Sequence, residues 1–202
     1  MITVVIASYK YGHLAAHAIE SLLSQTRKPD KIFLVDDGAG DCKHLKGIYP
    51  DVEYVFREKN LGTVANFQDM LNRVKTDKCV FIGADNWLRS DALEILDKVD
   101  ADIVTYDIQV TGELKEEILN RHPREVSKYK GDFWWDRSSG HHGSMLYNTK
   151  KAQEVGYHSE AQRTQEDRNL YHDMLSKGAT RIHVSEPLLY YRRHRENFNS
   201  CK

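Results

Sequence analysis

Small polar and acidic residues follow three apolar segments of the chain. The three junctions are Ala7-Ser8-Tyr9, Val35-Asp36-Asp37 and Ala84-Asp85-Asn86. Short apolar segments rich in β-branched residues, separated by helix-length segments, predict parallel strands of an α/β sheet. The carboxyl ends of such strands line one crevice, where ligands bind. Hydroxyls and carboxylates gathered there predict a site for a polar ligand, with carboxylate groups left to bind a cation.

Asp85 is the candidate metal ligand. It follows an almost wholly apolar segment, and Asp36 and Asp37 end a neighbouring one. A carboxylate at this edge of the sheet suits a hard cation, and diphosphate oxygens would complete the coordination shell. The structural alternative is that Asp85 caps a helix or lies in a solvated turn.

Asp167 is the candidate general base. The predicted helix 165–177 has an apolar face formed by Leu170, Tyr171 and Met174. These residues follow Asp167 by three, four and seven positions, so Asp167 points along the buried face. An inward carboxylate at the rim of a crevice is what a general base requires. The spacing equally allows an interaction of Asp167 with the free N–H groups of its own helix.

Further candidates lie in the second half of the chain. His194 lies among three arginines, which would suit a diphosphate, and imidazole is a ligand for manganese-type ions. The pair His141-His142 is expected in a loop near substrate. Trp134-Trp135 would either pack beneath a loop or form a stacking surface for a sugar. Glu166 lies one position around the helix from the base and is expected to bond backbone or loop donors.

Apolar periodicity predicts the elements that position these residues. Strands are expected at 2–7, 31–35, 52–56, 79–82 and 103–106, with helices between them, the fourth capped by Ser90. This order is typical of a wound sheet with right-handed crossovers. Residues 107–140 are polar, and no element is predicted there apart from an aromatic cluster. Strands are expected again at 143–147, 180–183 and 188–191, and helices at 149–155 and 165–177.

Composition excludes several classes of function. The formal net charge is -1, from 29 basic and 30 acidic residues, which gives no electrostatic reason to expect a nucleic-acid partner. The three cysteines are scattered and lack metal-binding spacing, and Cys79 is expected to be a buried thiol. No apolar segment is long enough to span a bilayer, and the chain begins with a strand rather than a signal peptide. The expectation is one domain, 1–202, of a cytoplasmic protein.

Taken in order, these segments resemble the family 2 glycosyltransferases of GT-A fold. The resemblance covers nearly the whole chain except about residues 107–140, and it is carried by 4–9 with 21–26 and 34–38, 60–62 with 66–67, 81–86, 143–157, 165–167 with Gly178, and 191–194 with Asn197. The last segment is similar to the ending of rhamnosyl- and related polysaccharide transferases. The implied fold is a Rossmann-like wound, mostly parallel sheet with a smaller acceptor-side sheet region. Residues 1–106 would bind the nucleotide sugar and 107–202 the acceptor.

The resemblance also implies a role for each candidate residue. Asp85 and His194 would hold a divalent metal, Mn²⁺ or Mg²⁺, and Asp167 would be the catalytic base. The nucleotide-binding residues would be Ala7, Ser8, Tyr9, Asp37, Asn60, Gly62, Asn66 and Ala84. The acceptor-binding residues would be Trp134, Trp135, His142 and Glu166. Gly83 stands where the family often has an acid, so the metal would depend more on Asp85 alone.

The implied function is an inverting glycosyltransferase of polysaccharide biosynthesis. It would move a sugar from a nucleoside diphosphate sugar to a carbohydrate or glycolipid acceptor by metal-assisted in-line displacement. UDP is favoured as the nucleotide because it is common in the family. Peripheral contact with a membrane stays open. One alternative is a catalytically silent protein that binds nucleotide sugar or carbohydrate. A sugar nucleotidyltransferase is less favoured, because residues 8–12 offer one glycine and not a glycine-rich phosphate loop.

Overall fold

The computed structural model describes residues 1–157 and 165–197. Within these residues the strands are β1 (Ile2–Ser8), β2 (Lys31–Asp36), β3 (Glu53–Phe56), β4 (Lys78–Gly83), β5 (Trp87–Leu88), β6 (Ile103–Thr111), β7 (Val126–Tyr129), β8 (Asp132–Trp135), β9 (Met145–Asn148) and β10 (Arg181–Arg192). The helices are α1 (Gly12–Leu23), α2 (Leu45–Ile48), α3 (Thr63–Arg73), α4 (Ala92–Asp97), α5 (Lys115–Arg121), α6 (Thr149–Val155) and α7 (Glu166–Ser176), with a 3-10 turn over His142–Ser144.

These strands form one sheet in the order β3-β2-β1-β4-β9-β6-β10-β5, with β8 also paired to β6 and β7 to β8. The strands of the first half, β3, β2, β1 and β4, are parallel. In the second half β6 and β10 are parallel, whereas β5, β8 and β9 pair antiparallel with their neighbours. The predicted wound α/β sheet is confirmed.

Helices cover both faces of the sheet because neighbouring residues of a strand point to opposite sides. Val4 and Ile6 of β1 pack in one core with α1 and α4, whereas Val5 packs in the other core with α3, α6 and α7. Cys79 lies in the second core, as predicted for a buried thiol, and burial raises its pKa to about 12. No helix in the described ranges is long and apolar enough to cross a membrane.

The second half contains more structure than the sequence pattern predicts. Strand β6 continues past 106 to Thr111, and α5, β7 and β8 follow in the polar region. The two strands expected at 180–183 and 188–191 are one long strand, β10, whose register with β6 shifts on both sides of Pro187. Proline has no N–H to donate to the ladder, so a local irregularity there is expected.

Two smaller predictions were wrong at element ends. Ser90 does not cap the fourth helix: α4 follows Asp91, without a side-chain cap, and the carbonyl of Ser90 instead accepts the N–H of Thr26 at 2.8 Å. The strand expected at 143–147 begins only at Met145, because His142–Ser144 form a 3-10 turn. That turn brings the loop histidines towards α7.

Candidate functional site

The three strand junctions meet at one edge of the sheet. Ser8 pairs with Asp36 across β1 and β2, and Ala7 pairs with Gly83 across β1 and β4. Beyond the strands, the N–H of Asp37 donates to the carbonyl of Ser8 at 2.8 Å, and the N–H of Ala84 donates to that of Ala7 at 2.9 Å. These backbone bonds bring the predicted nucleotide-binding residues of β1, β2 and β4 together.

Ser8 and Tyr9 differ in their access to a ligand. The Ser8 hydroxyl is buried and accepts a hydrogen bond from the Cys42 thiol at 3.2 Å. Tyr9 is 43% exposed, and the ammonium of Lys10 lies 5.2 Å from its ring centre. Tyr9 therefore has the open ring that packing against a nucleobase would need, whereas Ser8 contributes mainly through its backbone.

Asp37 is held by a set of donors from the next connection. Its Oδ1 accepts from Arg57 Nε at 3.0 Å and from the Leu61 N–H at 3.1 Å, and its Oδ2 accepts from Asn60 Nδ2 at 2.9 Å. Burial raises the pKa of Asp37, and the Leu61 N–H and the Arg57 charge oppose that rise. Asn60 thus acts through Asp37, whose carboxylate is fixed in direction.

Arg57 is a site residue that the sequence interpretation missed. Its Nη2 donates to Asn66 Oδ1 and to Asp69 Oδ2, both at 2.8 Å, and only 9% of its side chain is exposed. Arg57 follows the end of β3 directly, so the positional argument that selected Asp37 and Asp85 could have found it. Gly62, with a φ of +79°, lets the chain turn from this strand end into α3.

Asp85 and His194, the two candidate metal ligands, lie side by side. Asp85 Oδ2 lies 3.3 Å from His194 Nε2 and accepts from Asn197 Nδ2 at 2.8 Å. Asn197 Oδ1 in turn accepts the backbone N–H of His194 at 2.7 Å. Asn197 therefore links the two side chains. It was noted in the sequence only as part of a family ending, with no role.

Gly83 makes room for this arrangement. A Cβ atom at Gly83 would lie 2.5 Å from Asp85 Oδ1 and 2.9 Å from Asn86 Nδ2. The side chain of Asp85 therefore folds back over the end of β4, into the space that an acid at position 83 would fill. Asn86 Oδ1 accepts the N–H of Arg192 at 3.0 Å, which ties this turn to the end of β10.

Asp167 lies at the start of α7 and contacts the acceptor-side loop. Its Oδ1 accepts the N–H of Arg168 at 2.6 Å, as expected for a carboxylate at a helix N-terminus, and its Oδ2 accepts the N–H of His142 at 3.3 Å. Burial alone would raise the pKa of Asp167, but His142, His141 and the two N–H groups outweigh burial and lower it. The carboxylate is therefore ionised at neutral pH.

Burial shifts the pKa of the titratable groups beside Asp167 towards favouring their neutral forms. Burial lowers the pKa of both His141 and His142 to about 4, and burial raises the pKa of Glu166 to about 7. In the described part of the chain, four buried polar atoms near Asp167 have no hydrogen-bond partner: Arg137 Nε, His141 Nδ1, His142 Nε2 and Glu166 Oε2. Buried polar atoms are normally satisfied, so these indicate a place for a hydroxyl-rich ligand or ordered water.

The remaining acceptor-side candidates are more firmly packed. The ring of His142 stacks on Phe67 at 4.0 Å. Trp135 is only 6% exposed, donates to Glu125 Oε2 at 3.1 Å and is covered by the Arg137 guanidinium at 4.4 Å. Trp134 is half-buried and donates to Asp107 Oδ2 at 2.7 Å. An open stacking surface is therefore less evident at Trp135 than at Trp134.

Two other clusters in the described residues have metal-ligand spacing: Asp36, Asp41 and Cys42, and Asp107, Asp136 and His183. In the first cluster, the Asp36 oxygens accept the N–H groups of Ala39, Gly40 and Cys42. In the second cluster, the Asp107 oxygens accept from Trp134 and from the Arg137 N–H. These bonds hold a turn and a hairpin in place, so we assign both clusters to structure.

Comparison with known proteins identifies the family of the chain. The family model "Glycosyl transferase family 2" matches residues 3–159. The protein "Glycosyltransferase GlyA" of Streptococcus pneumoniae is 28% identical over 102 residues, which cover 48% of this chain and 14% of GlyA.

Solved structures share the fold. S. aureus TarS 1-349 in complex with UDP-GlcNAc has a TM-score of 0.77 at 14% identity, over 100% of this chain and 61% of that one. The mannosyltransferase PcManGT from Pyrobaculum calidifontis, in complex with GDP-Man and Mn2+, has a TM-score of 0.68 at 12% identity, over 99% and 59%. The chain thus spans less than two thirds of each of these relatives, and its sheet has the predicted GT-A fold. On the family match, which covers most of its length, the chain belongs to glycosyl transferase family 2.

Proposed function

We propose that this chain transfers a sugar, with inversion, from a nucleoside diphosphate sugar to an acceptor hydroxyl. The observation that carries the proposal is the position of the Asp167 carboxylate, which accepts N–H groups from α7 and from the His142 loop and lies near buried polar atoms without partners. The complexes of related folds with UDP-GlcNAc and with GDP-Man and Mn2+ support a nucleotide-sugar donor. We further propose that residues 1–106 bind the donor and 107–202 the acceptor.

Asp37 is proposed to contact the nucleobase. A carboxylate can accept about four hydrogen bonds, so the three donors that hold Asp37 leave capacity for an N–H of the base. The same three hydrogen bonds fix the orientation of the buried carboxylate towards the base. Tyr9 would pack against the base, and the backbones of Ala7 and Ala84 would line the same edge.

A divalent cation fits the pair Asp85 and His194. One carboxylate and one imidazole, with ligand atoms 3.3 Å apart, are a donor set that Mn²⁺ accepts, and diphosphate oxygens would supply further ligands. When bound, such a cation stabilises negative charge on the leaving diphosphate. Asn197 would hold Asp85 and His194 in position through its hydrogen bonds to both residues.

Asp167 is proposed to take the proton of the acceptor hydroxyl as the new bond to the anomeric carbon forms and the bond to the diphosphate breaks. A single displacement of this kind inverts the anomeric centre and leaves no covalent enzyme intermediate. His142, Glu166 and the tryptophans 134 and 135 would bind the acceptor around the base. His142 also positions Asp167 through its backbone N–H.

A thermal-shift panel of UDP, GDP and dTDP, with and without Mn²⁺, tests the donor site. A ligand at 100 times its Kd stabilises by about 2.7 kcal/mol, or roughly 5–10 °C for a chain of this size. One nucleotide should shift the melting temperature, and more so with Mn²⁺. Asp37→Ala should weaken binding with or without the metal, whereas Asp97→Ala, on the exposed end of α4, serves as the control. The absence of any nucleotide shift, with or without metal, would contradict the proposal.

A further inference from the structure

A cavity of about 400 Å³ opens beside the proposed acceptor site. It lies within the size range of ligand pockets, roughly 300–1,000 Å³. Its walls combine aromatic rings with basic side chains: Arg121, His122, Trp135, His141, Tyr191 and Arg193. Of its lining residues, only Trp135 has a role proposed above.

The lining of the cavity adjoins residues of both the proposed base and the proposed metal site. His141 precedes His142, whose N–H binds Asp167, and the charge of Asp167 acts on the pKa of His141. Tyr191 faces His141 with ring centres 5.4 Å apart, and Arg193, which also lines the cavity, directly precedes His194. A molecule bound at Asp167 would therefore lie next to the wall of this cavity that His141 forms.

The cavity carries an excess of positive charge. The guanidiniums of Arg121 and Arg193 line it. Arginine stays protonated at any physiological pH. Against the two lining guanidiniums stands one carboxylate, that of Glu117, which lies 2.9 Å from Arg193 and 3.9 Å from Arg121. The charge of Arg137, outside the lining, is offset by Glu125 at 3.4 Å and by Asp167 and Asp136.

Glu117 shows that one oxyanion can bridge two of these arginines. Its Oε2 lies within 4 Å of an Nη2 atom of both Arg121 and Arg193. The Arg193 side chain is 1% exposed and is held by Glu117, whereas 48% of the Arg121 side chain is exposed. One guanidinium group can bind phosphate through two parallel hydrogen bonds. A phosphate between Arg121 and Arg193 could therefore be held from both sides.

We propose that this cavity binds a phosphate group of the acceptor, next to the hydroxyl that Asp167 deprotonates. The proposal rests on the proposed glycosyl transfer and adds a substrate class to it: an acceptor that carries a phosphate monoester or diester close to the glycosylated hydroxyl. The aromatic walls Trp135 and Tyr191 would enclose the carbon atoms beside that phosphate.

Binding of inorganic phosphate to protein saturated with UDP and Mg²⁺, measured by calorimetry, tests this proposal. The wild type should bind phosphate under these conditions. Arg121→Gln should weaken phosphate binding by about 10-fold, the value of one charge-assisted hydrogen bond. Arg124→Gln, an exposed arginine outside the cavity lining, is the matched control and should change the affinity by less than about twofold. The affinity for UDP should be the same in all three proteins.

Three outcomes would overturn the proposal. Equal phosphate affinity in the wild type and Arg121→Gln would show that the cavity holds no phosphate. Loss of phosphate binding on saturation with UDP, or an equal loss of UDP affinity in Arg121→Gln, would assign the cavity to the diphosphate of the donor. If UDP itself did not bind, the donor proposal would fail, and phosphate binding without UDP would still report on the cavity.

Discussion

Arg57 tests how the proposed nucleotide-binding edge of the sheet is held together. Its guanidinium is nearly buried and donates hydrogen bonds to three side chains. It donates to Asp37 at 3.0 Å, and to Asn66 and Asp69 at 2.8 Å. We predict that Arg57→Met destabilises the protein and lowers its affinity for the nucleotide. Methionine keeps much of the side-chain volume and removes the charge.

The size of the effect follows from the partners that remain. Removal of one member of a buried ion pair costs about 3–5 kcal/mol. The low end applies here, because Asp37 keeps the Leu61 N–H and Asn60, and Asp69 keeps Arg73 at 2.6 Å. A loss of about 3 kcal/mol should lower the melting temperature by roughly 6–12 °C in a chain of this length.

The loss should also depend on pH. Burial raises the pKa of Asp37 and Arg57 opposes that rise, so the pKa in Arg57→Met should be higher still. A carboxyl group whose pKa is raised in the folded state destabilises the fold, and this destabilisation is complete above the raised pKa. It disappears as the pH falls towards the pKa of the unfolded chain, about 4. The difference between the wild type and Arg57→Met should therefore be larger at pH 8 than at pH 5.

Urea denaturation followed by circular dichroism at both pH values measures this effect. Arg73→Met is the matched control, because Arg73 pairs with Asp69 at the surface and should cost less than about 1 kcal/mol. Asp37→Asn in the Arg57→Met background should recover part of the loss by removing the unpaired charge. A change of under about 1 kcal/mol in Arg57→Met, without pH dependence, would refute the argument.

Three further predictions concern the rest of the site. Asp85→Ala should abolish the Mn²⁺-dependent part of UDP binding, measured by thermal shift, and His194→Ala should reduce it less because one imidazole shares the shell with diphosphate oxygens. Gly83→Ala should also lower the Mn²⁺-dependent part of UDP binding. The new Cβ would lie 2.5 Å from the present position of Asp85 Oδ1 and would displace that oxygen; unchanged Mn²⁺ dependence would contradict this. Glu166→Gln should be more stable than the wild type at pH 8 but not near pH 4.5, since a folded-state pKa of about 7 makes wild-type stability fall as the pH rises between these values. Equal urea midpoints at pH 8 would show that Glu166 is not perturbed.

The first half of the fold could be predicted because its strands are apolar on both sides. Strands β1, β2 and β4 are covered by helices on each face, so their residues form continuous apolar segments that end in polar junctions. The junctions themselves located the crevice, because parallel strands place their carboxyl ends together.

The second half could not be predicted in the same way because its strands contain buried polar residues. Asp107 lies within β6 yet is only 5% exposed, since Trp134, Arg137 and His183 satisfy its oxygens. That stabilisation comes from residues distant in sequence, which local periodicity does not include. Pro187 similarly marks an apparent gap between two strands that the structure joins through a shift of register.

Side-chain partners were the least predictable part of the site. Arg192 and Arg193 are adjacent in sequence, but Arg192 reaches His17 at 2.9 Å and Trp87 at 5.0 Å, whereas Arg193 pairs with Glu117 at 2.9 Å on the other side. Neighbours in a strand alternate in direction, so a cluster of arginines in the sequence does not stay a cluster in space.

The release of free nucleoside diphosphate from a bound nucleotide sugar tests the central claim most directly. The rate should be measured for the wild type, Asp167→Asn and Glu166→Gln, each with donor affinity and melting temperature determined. Asparagine serves a helix N-terminus about as well as aspartate, so Asp167→Asn should keep its stability and donor affinity. Its rate should fall roughly 10²–10⁴-fold, with a smaller loss in Glu166→Gln. Near-normal turnover in Asp167→Asn would contradict its role as the base, and a wild type that binds the donor without ever releasing the diphosphate would identify a silent binding protein instead.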